Sequence, residues 1–257
     1  MLSQVAMSSS IRLSRLVVCA LALSGTLAVT QSARAATITY VDGTRAEADF
    51  TTGAGTLTIT LTDLVEGPTG VADNISGLGF TIDDPSIGAS LTSMEGVLRQ
   101  VNQSGTYSDL NSGVAQTLYW NFDASTLFLS ALGTSRPGGN PPDETIIGAP
   151  LSVAAGGDGK YHGGGSINGN GPHNPFVAGA ATFVLSIPGI TEDTIVTSAV
   201  FRFGTNATSG FENGDCTDGC EPPPTGDVST PEPASLLLLG TGLLGGASAL
   251  RRRRLNG

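Results

Sequence analysis

The chain has 257 residues, with 22 acidic against 12 basic side chains and a net charge of −10. Its composition argues against a nucleic-acid or anionic-lipid binder: between residues 36 and 222 there are 20 Asp and Glu against five Lys and Arg, a local net of about −15, and such a surface repels both. Seven of the twelve basic residues lie at the two ends, which read as addresses and not as fold.

The first address runs from residue 1 to residue 35. Arg12 and Arg15 form a positive start, Leu16 to Val29 an apolar stretch, and Ala33-Arg34-Ala35 a small-x-small cleavage site, so a secretory signal peptide cut after Ala35 is predicted. Cys19 falls inside the apolar stretch behind a bulky Val18 and leaves with the signal.

The body, residues 36–211, is dominated by strand signals. In "GTLTITLTDL", Leu57, Ile59 and Leu61 alternate with Thr58, Thr60 and Thr62, the period-two pattern of a half-buried strand. "AATFVLSIPG" repeats the device with Phe183, Leu185 and Ile187, and "SAVFRFG" sets Phe201 and Phe203 inward around Arg202. Weaker strand candidates are 45–51, 78–82, 96–101, 117–122 and 127–132. No window shows an amphipathic helix, and Gly, Asn, Asp and Pro punctuate the strands at short spacing. The predicted fold is all-β: a single antiparallel β-sandwich, jelly-roll-like or cohesin-like in layout.

Two stretches, 136–145 and 156–176, are too rich in glycine and proline for regular structure and read as long loops. The second holds both histidines, His162 and His173, with Asp158, Lys160 and Tyr161. Imidazoles suit metal binding or proton transfer, yet eleven residues of flexible spacing set no geometry, and Pro172-His173-Asn174-Pro175 reads as a turn.

Adjacent carboxylates occur as Asp83-Asp84, Asp143-Glu144 and Glu192-Asp193. Paired acids can hydrolyse glycosides, but neighbours on a strand point to opposite faces, so these are expected in solvated turns. Nucleophile elbows, phosphate loops and zinc-protease motifs are absent from the sequence, and no enzyme is predicted. "ENGDCTDGCE" and "GGDGK" put oxygen ligands beside glycines, which suits calcium, although neither has the spacing of a true calcium loop; no other cofactor is expected. In "TLYWNFD", alternation sets Tyr119 and Trp120 on opposite faces, one of them outward as a candidate glycan contact, with core filling as the competing role of Trp120.

Residues 212–230 read as an acidic, proline-containing linker. Within it Cys216 and Cys220 are expected to form a short-loop disulfide in an oxidising exterior, with a metal half-site or a redox pair as the alternatives.

The second address, residues 231–257, opens with Pro231-Glu232-Pro233. An uncharged run of about 17 residues from Ala234 to Leu250 follows, roughly 25 Å long as a helix and at the short limit for a bilayer. Arg251, Arg252, Arg253 and Arg254 then hold the tip on the cytoplasmic side. Gly240, Gly242, Gly245 and Gly246 weaken the helix relative to a permanent anchor, the competing reading. Proline-glutamate-proline, glycine-rich apolar helix and arginine cluster, in that order, resemble the PEP-CTERM sorting signal of Gram-negative, exopolysaccharide-producing bacteria. That resemblance implies an exosortase-type membrane enzyme as partner, transient residence in the membrane, and delivery to the cell surface or extracellular matrix. The arrangement around "NGPHNPF" and "FRFGT" resembles a group of secreted bodies with the same tail and implies no catalytic residue.

The body is accordingly expected to be a non-enzymatic structural or glycan-associated module, with exopolysaccharide as candidate partner. A polysaccharide-active enzyme and a calcium-dependent adhesion module are the alternatives.

Overall fold

A computed structural model of the chain describes residues 37–83, 88–139 and 142–220. The two addresses, including Pro231 to Pro233 and Arg251 to Arg254, lie outside the described residues.

The strands are, in order, β1 (Thr37–Asp42), β2 (Ala46–Gly53), β3 (Thr56–Asp63), β4 (Ile75–Ile82), β5 (Ser90–Val101), β6 (Tyr107–Asp109) and β7 (Gln116–Thr117). They continue with β8 (Asn121–Asp123), β9 (Phe128–Ser130), β10 (Ile146–Ile147), β11 (Phe176–Ser186), β12 (Val196–Phe203), β13 (Phe211–Asn213) and β14 (Asp215–Asp218). The expected all-β sandwich is what forms. One layer runs β5-β11-β3-β2-β1-β14, with β6 and β7 on the outer edge of β5; the other runs β8-β9-β4-β12-β13. Threonine alternation does what the pattern implied: Leu57, Ile59 and Leu61 of β3 are fully buried, whereas Thr58, Thr60 and Thr62 stay half-exposed.

The layers share one core. The ring of Phe50 on β2 lies 5.5 Å from that of Phe80 on β4, across the sandwich, and Phe183 and Phe201 are fully buried in the same cluster. Two strand connections join the layers by backbone pairing among the described residues. At one, β10 pairs antiparallel with β4 at Ile75 and parallel with β11 at Val177 and Ala178.

At the other, residues 211–218 switch layers. β13 pairs with β12 (Arg202 opposite Phe211, Val200 opposite Asn213), and after Gly214 the same segment pairs as β14 with β1 (Val41 opposite Asp215, Tyr40 opposite Cys216). Gly214 is required by close approach: a Cβ there would press on the rings of Phe201 and on Tyr40. The body therefore extends to residue 218, and the linker expected from 212 is corrected. Six of its first seven residues, all but Gly214, are strand, because both outer edges of the sandwich offer them unpaired backbone.

The glycine-rich stretch 156–176 is likewise ordered by side chains the expectation did not weigh. Tyr161 is fully buried, and its hydroxyl donates to the carbonyl of Gly148 at 2.9 Å and accepts from Arg99 Nη1 at 3.0 Å. A single helical turn, α1 (Gly164–Ile167), buries Ile167 beside Tyr161, Val101, Ile147 and Phe176 in a second, smaller core. Gly105, at φ +77°, packs against the backbone of Tyr161 where any Cβ would collide.

Candidate functional site

The aromatic pair singled out in the sequence divides. Trp120 is 3 % exposed, its ring 5.0 Å from Phe183, and its indole N–H donates to the carbonyl of Glu144 at 2.9 Å. It fills the core, so the expected glycan contact at Trp120 is corrected: a ring that must satisfy both an apolar core and an N–H bond has no face left for a ligand. Tyr119 alone of the two is exposed, at 41 %.

Of the carboxylate pairs, Asp84 lies outside the described residues, and Asp83 accepts the backbone N–H of Ile195 at an exposed site. Glu192 and Asp193 sit in a turn at the surface, as expected. Asp143 and Glu144 depart from expectation, both being 1 % exposed. Glu144 stands outside any strand at φ 63°, in the left-handed region that strains a residue with a Cβ. That conformation turns its carboxylate inward, where Oε1 accepts from Arg136 Nη2 at 3.0 Å and Oε2 accepts from the N–H of Tyr119 at 2.6 Å.

Arg136 thus reaches back from the predicted loop 136–145 and pins it. Burial raises the carboxyl of Glu144 above its ordinary range, and the Arg136 charge and the Tyr119 bond oppose this in part. Burial also raises Asp143, neither of whose oxygens has a hydrogen-bond partner among the described residues. Chemically the trio can brace a loop over the Trp120 edge of the core.

The two histidines are not brought into one site. His162 is exposed and its Nε2 lies 2.9 Å from Asp158 Oδ1, whereas His173 Nδ1 lies 3.0 Å from the carbonyl of Pro142, a contact between two loops. Asp158 also lies 3.8 Å from Lys160 Nζ. In the other acidic turn, Cys216, opposite Tyr40 in the pairing with β1, is joined by a disulfide to Cys220 just beyond that pairing. Among the described residues, no group of three or more His, Cys, Asp and Glu converges as a metal cage.

Two polar groups were overlooked in the sequence. Asp63 ends β3 on the same face as Leu57, Ile59 and Leu61 and is 5 % exposed. Alternation alone would have placed it inward. Its Oδ1 accepts from the N–H of Val65 at 2.9 Å, Oδ2 has no partner, and burial pushes its carboxyl up to about 7. Arg202 is 5 % exposed although it lies between two inward phenylalanines, because residues across β9 and β13 cover the outer face of β12 at that point.

Two clefts, of about 330 and 540 Å³, flank Arg45. Its guanidinium stacks 3.8 Å above the ring of Phe203 and pairs loosely with Asp42 at 3.7 Å. Glu212 lines the first cleft, and Glu66 and Asp73 the second.

The tail carries the assignment. Residues 229–254 match the family model of the PEP-CTERM protein-sorting motif. No curated protein and no solved structure matches the chain. The protein is therefore an exported one, sorted through a membrane-anchored stage and processed by an exosortase-type membrane enzyme. The particular signal it carries is the PEP-CTERM motif, on a β-sandwich body. Among the described residues no helix is long and apolar enough to cross a membrane; the run 234–250 lies outside them.

Proposed function

We propose that the body is a non-enzymatic structural or glycan-associated module of the cell surface or extracellular matrix of a Gram-negative bacterium. The apolar run 234–250 then acts as a temporary transmembrane helix, and the extracellular polysaccharide is the body's partner. The observation that carries this reading is the use made of Asp143 and Glu144. Among the described residues, the one adjacent acidic pair drawn out of solvent is closed to a polymer: Glu144 is committed to Arg136 and the backbone of Tyr119, and Asp143 is 1 % exposed, enclosed beside it. A hydrolytic pair needs its two carboxyl groups free on either side of a glycosidic bond.

The test is retention of the producing organism's own exopolysaccharide by the exported protein, with and without calcium, with the recovered polymer sized afterwards. Saturable retention of intact polymer is expected. Shortened polymer would replace this reading with a polysaccharide-active enzyme. Retention only with calcium would replace it with a calcium-dependent adhesion module, and no retention would end the glycan-associated part of it.

A further inference from the structure

Five Lys and Arg side chains stand against 20 acids between residues 36 and 222, and four of them have found a carboxylate within 4 Å: Arg45 with Asp42, Arg99 with Asp109, Arg136 with Glu144 and Lys160 with Asp158. Arg202, among the described residues, has none, and it is the most deeply buried of the five. Its Nη2 donates to the carbonyl of Ser76 at 3.0 Å and to Ser130 Oγ, and its Nε donates to Ser76 Oγ at 3.3 Å. Nη1 donates to no described protein acceptor, and the side chain keeps 5 % of its surface exposed. A buried cation left without an anion is costly, and here neutral oxygens hold it in place without neutralising it.

The lid over this cation is aromatic. The guanidinium carbon lies 4.8 Å from the centroid of Phe128 and 5.8 Å from that of Phe211, and the two rings are 6.1 Å apart. On the neighbouring strand β4, the residues facing them are Gly77 and Gly79, and a Cβ on either would strike the ring of Phe128. The glycines thus let Phe128 settle onto the bare backbone of the sheet. Phe211 stays 44 % exposed, among the most exposed large apolar side chains described. The only carboxylate facing Phe128 across the strands, Asp123, is turned onto Ser125, whose N–H it accepts at 2.9 Å.

We propose that Phe128, Phe211 and Arg202 form a binding platform for a carboxylate-bearing sugar ring, a uronate unit of a polysaccharide. The sugar's C–H face stacks on Phe211, and its carboxylate takes the unused Nη1 donor in a charge-assisted hydrogen bond. The rest of the body, strongly acidic, repels the same polymer, so attachment is confined to this one unpaired cation. The inference rests on the glycan-associated reading above and supplies its site.

The test titrates the exported protein with oligogalacturonate by calorimetry, beside the same oligomer with its carboxyl groups reduced to alcohols. The variant is Phe211→Ala, chosen because the exposed ring can be removed without opening the core. Saturable binding of oligogalacturonate is expected, weakened about tenfold by carboxyl reduction and about tenfold by Phe211→Ala, with the melting temperature within a few degrees of the parent. Absence of binding, equal affinity for the reduced oligomer, or a Phe211→Ala variant as tight as the parent each overturns the platform. So would self-association of the parent that Phe211→Ala abolishes without any sugar bound, which would make Phe211 a contact between copies. Retention of the organism's own polymer equally by parent and variant would sink the platform and leave the broader reading standing. Oligogalacturonate binding lost in the variant, with the native polymer ignored, would do the reverse.

Discussion

The hydroxyl of Tyr40 on β1 donates to the carbonyl oxygen of Val196 at the start of β12, 2.9 Å away and 156 residues later in the chain. The bond is buried and joins the first strand of one layer to a strand of the other, beside the segment 211–218 that pairs with both. Removing the hydroxyl leaves the Val196 carbonyl without this partner in the interior, at a cost of about 1–3 kcal/mol. Tyr40→Phe is expected to unfold at lower urea concentration with an unchanged slope. A midpoint equal to the parent's would show that the two layers do not depend on this bond.

Asp63 makes the stability of the fold depend on pH near neutrality. Its carboxyl is held at about 7 by burial, against about 3.9 in an unfolded chain, so the folded state keeps a proton that the unfolded state releases. The contribution of Asp63 to stability is therefore greatest below about pH 4, falls as pH rises towards 7 and levels off above it, a loss on the order of a few kcal/mol, while Asp109, lowered by Arg99, contributes in the opposite direction at low pH. Asp143 and Glu144, also raised by burial, act in the same direction. Asp63→Asn keeps an acceptor oxygen and removes the charge. Unfolding free energies measured at pH 5 and pH 8 should differ by less than half as much in this variant as in the parent; an undiminished difference would assign the effect to other groups.

The disulfide between Cys216 and Cys220 closes a loop so short that chain entropy limits its worth to roughly 2 kcal/mol. Replacing both cysteines by serine should lower the melting temperature by about 4–8 °C. The sheet should survive, because β14 remains paired with β1 at Tyr40 and Val41 and Cys216 touches the core only in part. Loss of the far-ultraviolet β signature at room temperature would mean that the bridge, and not strand pairing, holds the closing segment.

Alternation made β3, β11 and β12 readable, since a sheet with one wet face writes a period of two into its sequence. The same rule, carried one residue further, marks Asp63 as inward. It could not find β13 and β14: "ENGDCTDGC" is polar and turn-rich, and its strand form comes from two sheet edges that accept it, one on each layer. Nor could it place Trp120. Parity separates Trp120 from Tyr119, but only the packing of Phe183 and the carbonyl of Glu144 decides which of them is buried.

The sequence by itself determined that this protein is exported through a membrane-anchored sorting route, and the class of its fold. A sorting signal is a contiguous run of residues, here 229–254, and strand periodicity is likewise a local property of the chain. Tertiary structure alone decided where the charges went. It drew Asp143 and Glu144 inside, closed the sandwich with residues predicted to be a linker, and left Arg202 without an anion beneath two phenylalanines. Burial and pairing depend on residues brought together from as far apart as Ser76 and Arg202, and no window of neighbouring residues contains that information.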